Sequence, residues 1–137
     1  MKLCLGCGSK TNPSRNGSGK FCNNACQVLY RKATYITKWL SGDEDGSTKY
    51  GISDFVRNHL LEAQKGRCSD CGRKTWNGQP IHLEVEHNDG NWRNNSPDNV
   101  RMICPNCHSQ TPTYKAKNKE RGFGRDWRSR YPRRWDK

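Results

Sequence analysis

Several things are scarce in this chain, and each scarcity excludes something. No apolar run is long enough to cross a bilayer. The N-terminus, MKLCLGCGSK, has no apolar core segment of the kind a secretory signal requires. These absences set an expectation of a cytoplasmic chain with no membrane partner. Apolar residues make up only 31% of the 137, with three phenylalanines and two methionines. The mean hydropathy is -1.18. So short and polar a chain buries a limited share of its surface. A hydrophobic core alone does not account for a fold. Acidic side chains are missing altogether from the first forty residues.

Cysteine is what the chain has instead. All eight cysteines fall in close pairs: Cys4 and Cys7, Cys22 and Cys26, Cys68 and Cys71, Cys104 and Cys107. A disulfide gains from closing a long loop, so near neighbours are poor disulfide partners. Two thiolates from one tight turn do suit adjacent corners of a zinc tetrahedron. The spacing predicts two structural Zn²⁺ sites, one of Cys4, Cys7, Cys22 and Cys26, the other of Cys68, Cys71, Cys104 and Cys107. Four thiolates close each coordination sphere and leave no open position for chemistry. The alternative is eight oxidised cysteines in a secreted protein. It fits neither the pairing nor the N-terminus.

The net charge of +12 is segregated. Residues 1–40 sum to +7, residues 41–112 to −2 and residues 113–137 to +7. Two basic arms around a slightly acidic centre point to a polyanion, most often nucleic acid. Charge carried for solubility alone would not sort by segment. The tail has no clean amphipathic apolar face, which argues against a membrane surface.

Composition shifts divide the chain into four parts. Residues 1–40 read as an N-terminal zinc finger, treble-clef or ribbon-like, with a helix over 26–40. The apolar positions of that helix are Val28, Leu29, Ala33, Ile36, Trp39 and Leu40. Residues 41–52, SGDEDGSTKYGI, read as a linker. Residues 53–112 form the core. A helix capped by Ser53 and stopped at Gly66 leads to Cys68, and His59 on it is a surface or packing residue. A strand over 81–87 alternates Ile81, Leu83 and Val85 against His82, Glu84 and Glu86. A loop dense in turn formers follows, then the strand VRMI and a helix opened by Pro105. Residues 113–137 are a basic arm. The fold class expected is α+β, small and zinc-stabilised.

Two zinc sites leave Glu86, His87, Asn99 and His108 unexplained. The stretch LEVEHNDGNWRNNSPDNVRMICPNCHSQ places them at a spacing that resembles the HNH endonucleases, the ββα-metal nucleases. The likeness is to the small phage-encoded type with Cys4 zinc, and it covers residues 53–115. It implies a ββα-metal core in which His87 is the general base, taking a proton from water near neutral pH. Glu86 and His108 would hold one divalent cation, Mg²⁺ or Mn²⁺ by the donor set. Asn99 would brace the His87 ring, and Glu84 would support His108 or the ion from behind. The chain departs from the family's pattern at Glu86, where Asp or His is more usual.

The resemblance implies a metal-dependent endonuclease acting on duplex DNA. A single-site monomer would nick one strand. The biological role would be homing-type or packaging-associated, the latter beside a terminase, in the cytoplasm of an infected bacterial host. Lys115, Lys117, Lys119, Arg121, Arg125, Arg128 and Arg130 of the tail would contact DNA phosphates, among aromatics that can stack. The alternative is a non-catalytic zinc-finger nucleic-acid-binding protein, with His87 and His108 as zinc ligands or packing residues.

Overall fold

The computed structural model describes residues 2–11 and 19–115. The chain divides into two compact units, Met1–Glu44 and Asp45–Lys137. In the first unit, β1 (Lys2–Leu3) pairs antiparallel with β2 (Lys10–Thr11). The turn between them is tight enough to return Cys4 N to Ser9 O at 2.8 Å. Gly6 sits in that turn directly against the carbonyl of Cys26, where no Cβ would fit. Helix α1 (Asn24–Ser41) follows.

The first helix starts earlier than the sequence suggests. Asn23 is the cap: its side chain accepts from Cys26 N at 2.9 Å. At the other end Gly42, at φ 86°, turns the chain and returns its N–H to Lys38 and Trp39. Of the six apolar positions expected to share one face, only Ile36 and Trp39 are buried. Val28, Leu29 and Leu40 are more than half or about half exposed, and Ala33 is exposed too. The buried set is Cys26, Ile36 and Trp39, a narrow stripe. The described residues of this unit form one helix and one short hairpin, too little surface to cover a wider stripe.

The second unit opens with a hairpin of β3 (Ser47–Thr48) and β4 (Gly51–Ile52), within the segment expected as a linker. Helix α2 (Asp54–Ala63) is capped by Ser53, whose Oγ accepts from Phe55 N at 3.2 Å. A small hairpin, β5 (Thr75–Trp76) with β6 (Gln79–Pro80), precedes the main one. In that main hairpin β7 (Glu84–His87) pairs with β8 (Val100–Ile103), Glu84 opposite Ile103 and His87 opposite Val100. The ladder thus covers only the last four residues of the strand expected over 81–87. Helix α3 (Pro105–Ser109) closes the order.

The core is small and lies around β8. Leu83, Met102 and Ile103 are buried with Cys68 and Cys104, and Leu60, Leu61, Ile81 and Val85 pack on them. The open edge of β8 is satisfied by a side chain. Gln64 at the end of α2 donates to Met102 O at 2.8 Å and accepts from Met102 N at 3.0 Å. One amide thereby supplies both bonds that a neighbouring strand would give. The result is a small mixed helix-and-strand fold with two four-cysteine groups.

Candidate active site

The four Sγ atoms of Cys4, Cys7, Cys22 and Cys26 lie within 4.8 Å of one another, as do those of Cys68, Cys71, Cys104 and Cys107. All eight thiols are free. Zn–S bonds of about 2.3 Å would separate tetrahedral corners by about 3.8 Å. Cys7 and Cys22 stand 3.7 Å apart, and Cys71 and Cys104 3.8 Å. Both groups can hold a metal of that kind.

The thiols are also electrostatically divided. Burial opposes ionisation of Cys4 and Cys68, but backbone N–H donors outweigh it and bring each down to about 6. Hydrogen bonds to the neighbouring sulfurs of Cys4 and Cys7 push Cys22 up to about 12. Burial and the surrounding thiols push Cys107 up as well. The first thiolates to form thus hinder the rest, and a central cation is what lets four coexist.

The second cysteine group also places a histidine. Cys104 caps α3, its sulfur accepting from Cys107 N at 3.4 Å, and Pro105 begins the helix. One turn later His108 N bonds to Cys104 O at 2.9 Å. The ring of His108 then reaches back to β7. Its Nε2 is 2.9 Å from Glu86 Oε2 and its Nδ1 is 2.5 Å from Glu84 Oε2. Glu84 and Glu86 are two apart on one strand, so the period of the pleat aims both at the helix. Tyr114 meets the ring edge-on at 5.1 Å. Glu86 is only 4% exposed. Its other oxygen accepts from Thr113 Oγ1 at 2.5 Å, so the buried carboxylate is satisfied on both sides.

His87, the last residue of β7, falls on the other face of the strand by the alternation of the pleat, and its ring is bonded into the loop. Its Nε2 lies 2.7 Å from Asn95 Oδ1, and Asn95 Nδ2 donates to Ser47 Oγ at 2.9 Å. The direct brace expected from Asn99 is not what forms. The amide of Asn99 is committed to the loop itself: Nδ2 donates to Asp89 Oδ1 at 2.9 Å and to Asn94 O at 2.7 Å, and Oδ1 accepts from Asp89 N at 3.1 Å. Asn99 therefore acts on His87 only through the loop it closes.

Asp89 is the hub of that loop. It also accepts from Asn91 N and from Asn94 Nδ2, each at 2.8 Å. Burial works against its charge. The donors Asn94, Asn91 and Asn99, with a contribution from His87, outweigh burial and hold the carboxyl below its ordinary 3.8.

Glu84, Glu86 and His108 converge, His87 lies on the other face of the same strand, and Asn99 closes the loop. Among the described residues, the groups of three or more metal-ligating side chains close enough to share an ion are the two cysteine sets. Glu86 and His108 offer a two-ligand position next to the Cys68, Cys71, Cys104 and Cys107 set. Lys115 is exposed, its Nζ 4.9 Å from the Tyr114 ring centroid. Lys117, Lys119, Arg121, Arg125, Arg128 and Arg130 lie outside the described residues. Sequence reasoning missed Ser47, Asp89, Asn95 and Thr113. Nothing in the chain distinguishes Asn95 from the other asparagines of its loop, and Ser47 is 48 residues away.

Comparison with known proteins gives one informative relative. The chain is 42% identical over 96 residues to the H-N-H endonuclease F-TflIV of Escherichia phage T5. The match takes in 66% of this chain and 41% of that protein, so the chain spans about two-fifths of its relative's length. No family model matches the chain, and no solved structure matches it.

Proposed function

We propose that this chain, by its likeness to a phage H-N-H endonuclease, belongs to the HNH endonuclease family and is a metal-dependent endonuclease hydrolysing phosphodiester bonds in duplex DNA. The observation that carries the reading is the convergence of Glu86 Oε2 and His108 Nε2 at 2.9 Å, with Glu84 behind the other ring nitrogen. A carboxylate on the far nitrogen of a ligating histidine is the usual way to fix its ring and raise its basicity. Glu86 and His108 would hold Mg²⁺ or Mn²⁺, which when bound supplies charge relief to the phosphate and to the departing oxygen. A bound cation would take the place of the direct contact that now joins the two side chains.

His87 performs the proton chemistry. Its ring accepts one proton from the attacking water. The water oxygen forms the new bond to phosphorus, the bond to the 3′ oxygen breaks, and that oxygen takes a proton from solvent. The products are a 3′-hydroxyl and a 5′-phosphate. Asp89, Asn94 and Asn99 hold the loop that flanks the His87 end of β7. Thr113 keeps Glu86 in one rotamer.

The remaining parts support this chemistry. Zn²⁺ in each cysteine group ties the elements together. Residues 1–40 act as a treble-clef or ribbon-like finger, and β7, β8 and α3 as the ββα-metal core of residues 53–112. The basic arm of residues 113–137 grips the backbone, joined to the rest through residues already close to His108. One site in a monomer nicks one strand. A homing-type or packaging-associated role, the latter with a terminase, fits an enzyme working in the cytoplasm of an infected cell.

Supercoiled plasmid incubated with the zinc-loaded protein tests the proposal. Open-circle product is expected with Mg²⁺ or Mn²⁺, none with excess EDTA, and about 10²-fold less or lower with His87→Ala. If the wild type and His87→Ala bind DNA alike and neither cuts with any metal, the chain is a non-catalytic zinc-finger binding protein.

A further inference from the structure

We infer that Asn95, held by Ser47, is a positioning residue that fixes which ring nitrogen of His87 carries the proton. The catalytic consequence rests on the nuclease reading above; the tautomer rests on geometry alone. An amide nitrogen only donates hydrogen bonds and an amide oxygen only accepts them. Asn95 Nδ2 donates to Ser47 Oγ at 2.9 Å, which turns Oδ1 toward His87 Nε2 at 2.7 Å. Nε2 must then be the donor. The neutral ring keeps its lone pair on Nδ1, and Nδ1 is the nitrogen that takes the proton from water.

Burial makes this orientation matter. Asn95 is 2% exposed, among the most completely buried side chains described. A buried amide bonded at both ends cannot turn without breaking two hydrogen bonds at once. The flipped amide would need Ser47 to donate and Nε2 to accept, which is the opposite tautomer. A base in the wrong tautomer presents a proton where it must accept one. The two arrangements differ in which of the two ring nitrogens carries the one proton.

The prop comes from an unexpected part of the chain. Ser47 lies in β3, on the hairpin that precedes α2. That hairpin is pinned at both ends: Ser47 N donates to Asp45 Oδ1 at 2.8 Å, and Ser53 N donates to Gly46 O at 2.7 Å. The segment expected as a linker is thus part of the machinery that orients the base. Asn95 touches neither water nor phosphate in this role; it acts through His87.

Long-range ¹H–¹⁵N correlation of the zinc-loaded full chain tests the inference. Alkaline conditions keep the imidazoles neutral, and His87→Ala identifies the ring's signals. The wild type is expected to show a protonated Nε2 and an unprotonated Nδ1. Asn95→Ala is expected to give a mixture of tautomers, with kcat for nicking down several-fold, less than the loss in His87→Ala, and KM moved less than about twofold. Asn95→Asp keeps an acceptor and restores the single tautomer. Ser47→Ala shifts the ring the same way as Asn95→Ala but less, and serves if Asn95→Ala does not fold. An unprotonated Nε2 in the wild type overturns the inference. So does an unchanged tautomer in both Asn95→Ala and Ser47→Ala. If the wild type cuts no DNA, the nuclease reading falls, and the spectrum still decides the tautomer.

Discussion

At Asp89, donors from Asn91, Asn94 and Asn99 meet one carboxylate, and through it the whole loop between β7 and β8 is held. The carboxyl sits below its ordinary 3.8 in the folded state, so its contribution to stability is fully present above 3.8. It is lost only as pH falls through the lowered folded value. Asp89→Asn should therefore destabilise the zinc-loaded protein by about 1 kcal/mol, allowing for solvent screening of a partly exposed group. The difference from wild type should be the same at pH 5 and pH 7, measured by urea unfolding. A difference that shrinks between those two values would mean the charge on Asp89 is not what holds the loop. How much of this was legible in the sequence varies by residue. The alternation of Glu84 and Glu86 put them on one face of a strand, and period two is a local property. The loop has no period. Five asparagines lie between residues 88 and 99, and only tertiary contact with Ser47 makes Asn95 different from Asn94.

The elements of the first unit are organised by close backbone approach rather than by apolar area. Gly6 meets the carbonyl of Cys26, so the turn of one cysteine knuckle lies directly on the start of α1. Gly6→Ala would force the two apart and spread the four sulfurs. The expected result is zinc bound at least tenfold more weakly in this group, with the second group unaffected. Competition with a chromophoric chelator, counting two zincs per chain, checks it. Equal retention of both zincs would show that the approach is not needed. The same economy explains where the sequence misled. Apolar spacing named a wide face on α1, but spacing reports what a helix can bury, not what is available to bury it. In the second unit the expectation came closer for VRMI, because a four-residue apolar strand between a turn-rich loop and a proline has few alternatives.

Across the whole molecule, charge and two four-cysteine groups that can hold metal take the place of a large core. The chain carries +12, concentrated in its first forty and last twenty-five residues. Its acids gather in the middle, where Glu84 and Glu86 face His108 and Asp89 holds the loop. The paired cysteines made that plan readable in outline, because ligand spacing is a local signal that survives the absence of a hydrophobic pattern. No helix among the described residues is long and apolar enough to cross a membrane. In the proposed function, cleavage depends on a divalent cation held by Glu86 and His108. Nicking rate measured against Mn²⁺ concentration, for the zinc-loaded wild type and Glu86→Gln, tests it most directly. The wild type should saturate, and Glu86→Gln should need at least about tenfold more Mn²⁺ or fail to cut, as loss of a carboxylate ligand requires. Superimposable curves, both active and both saturating at the same concentration, would contradict it.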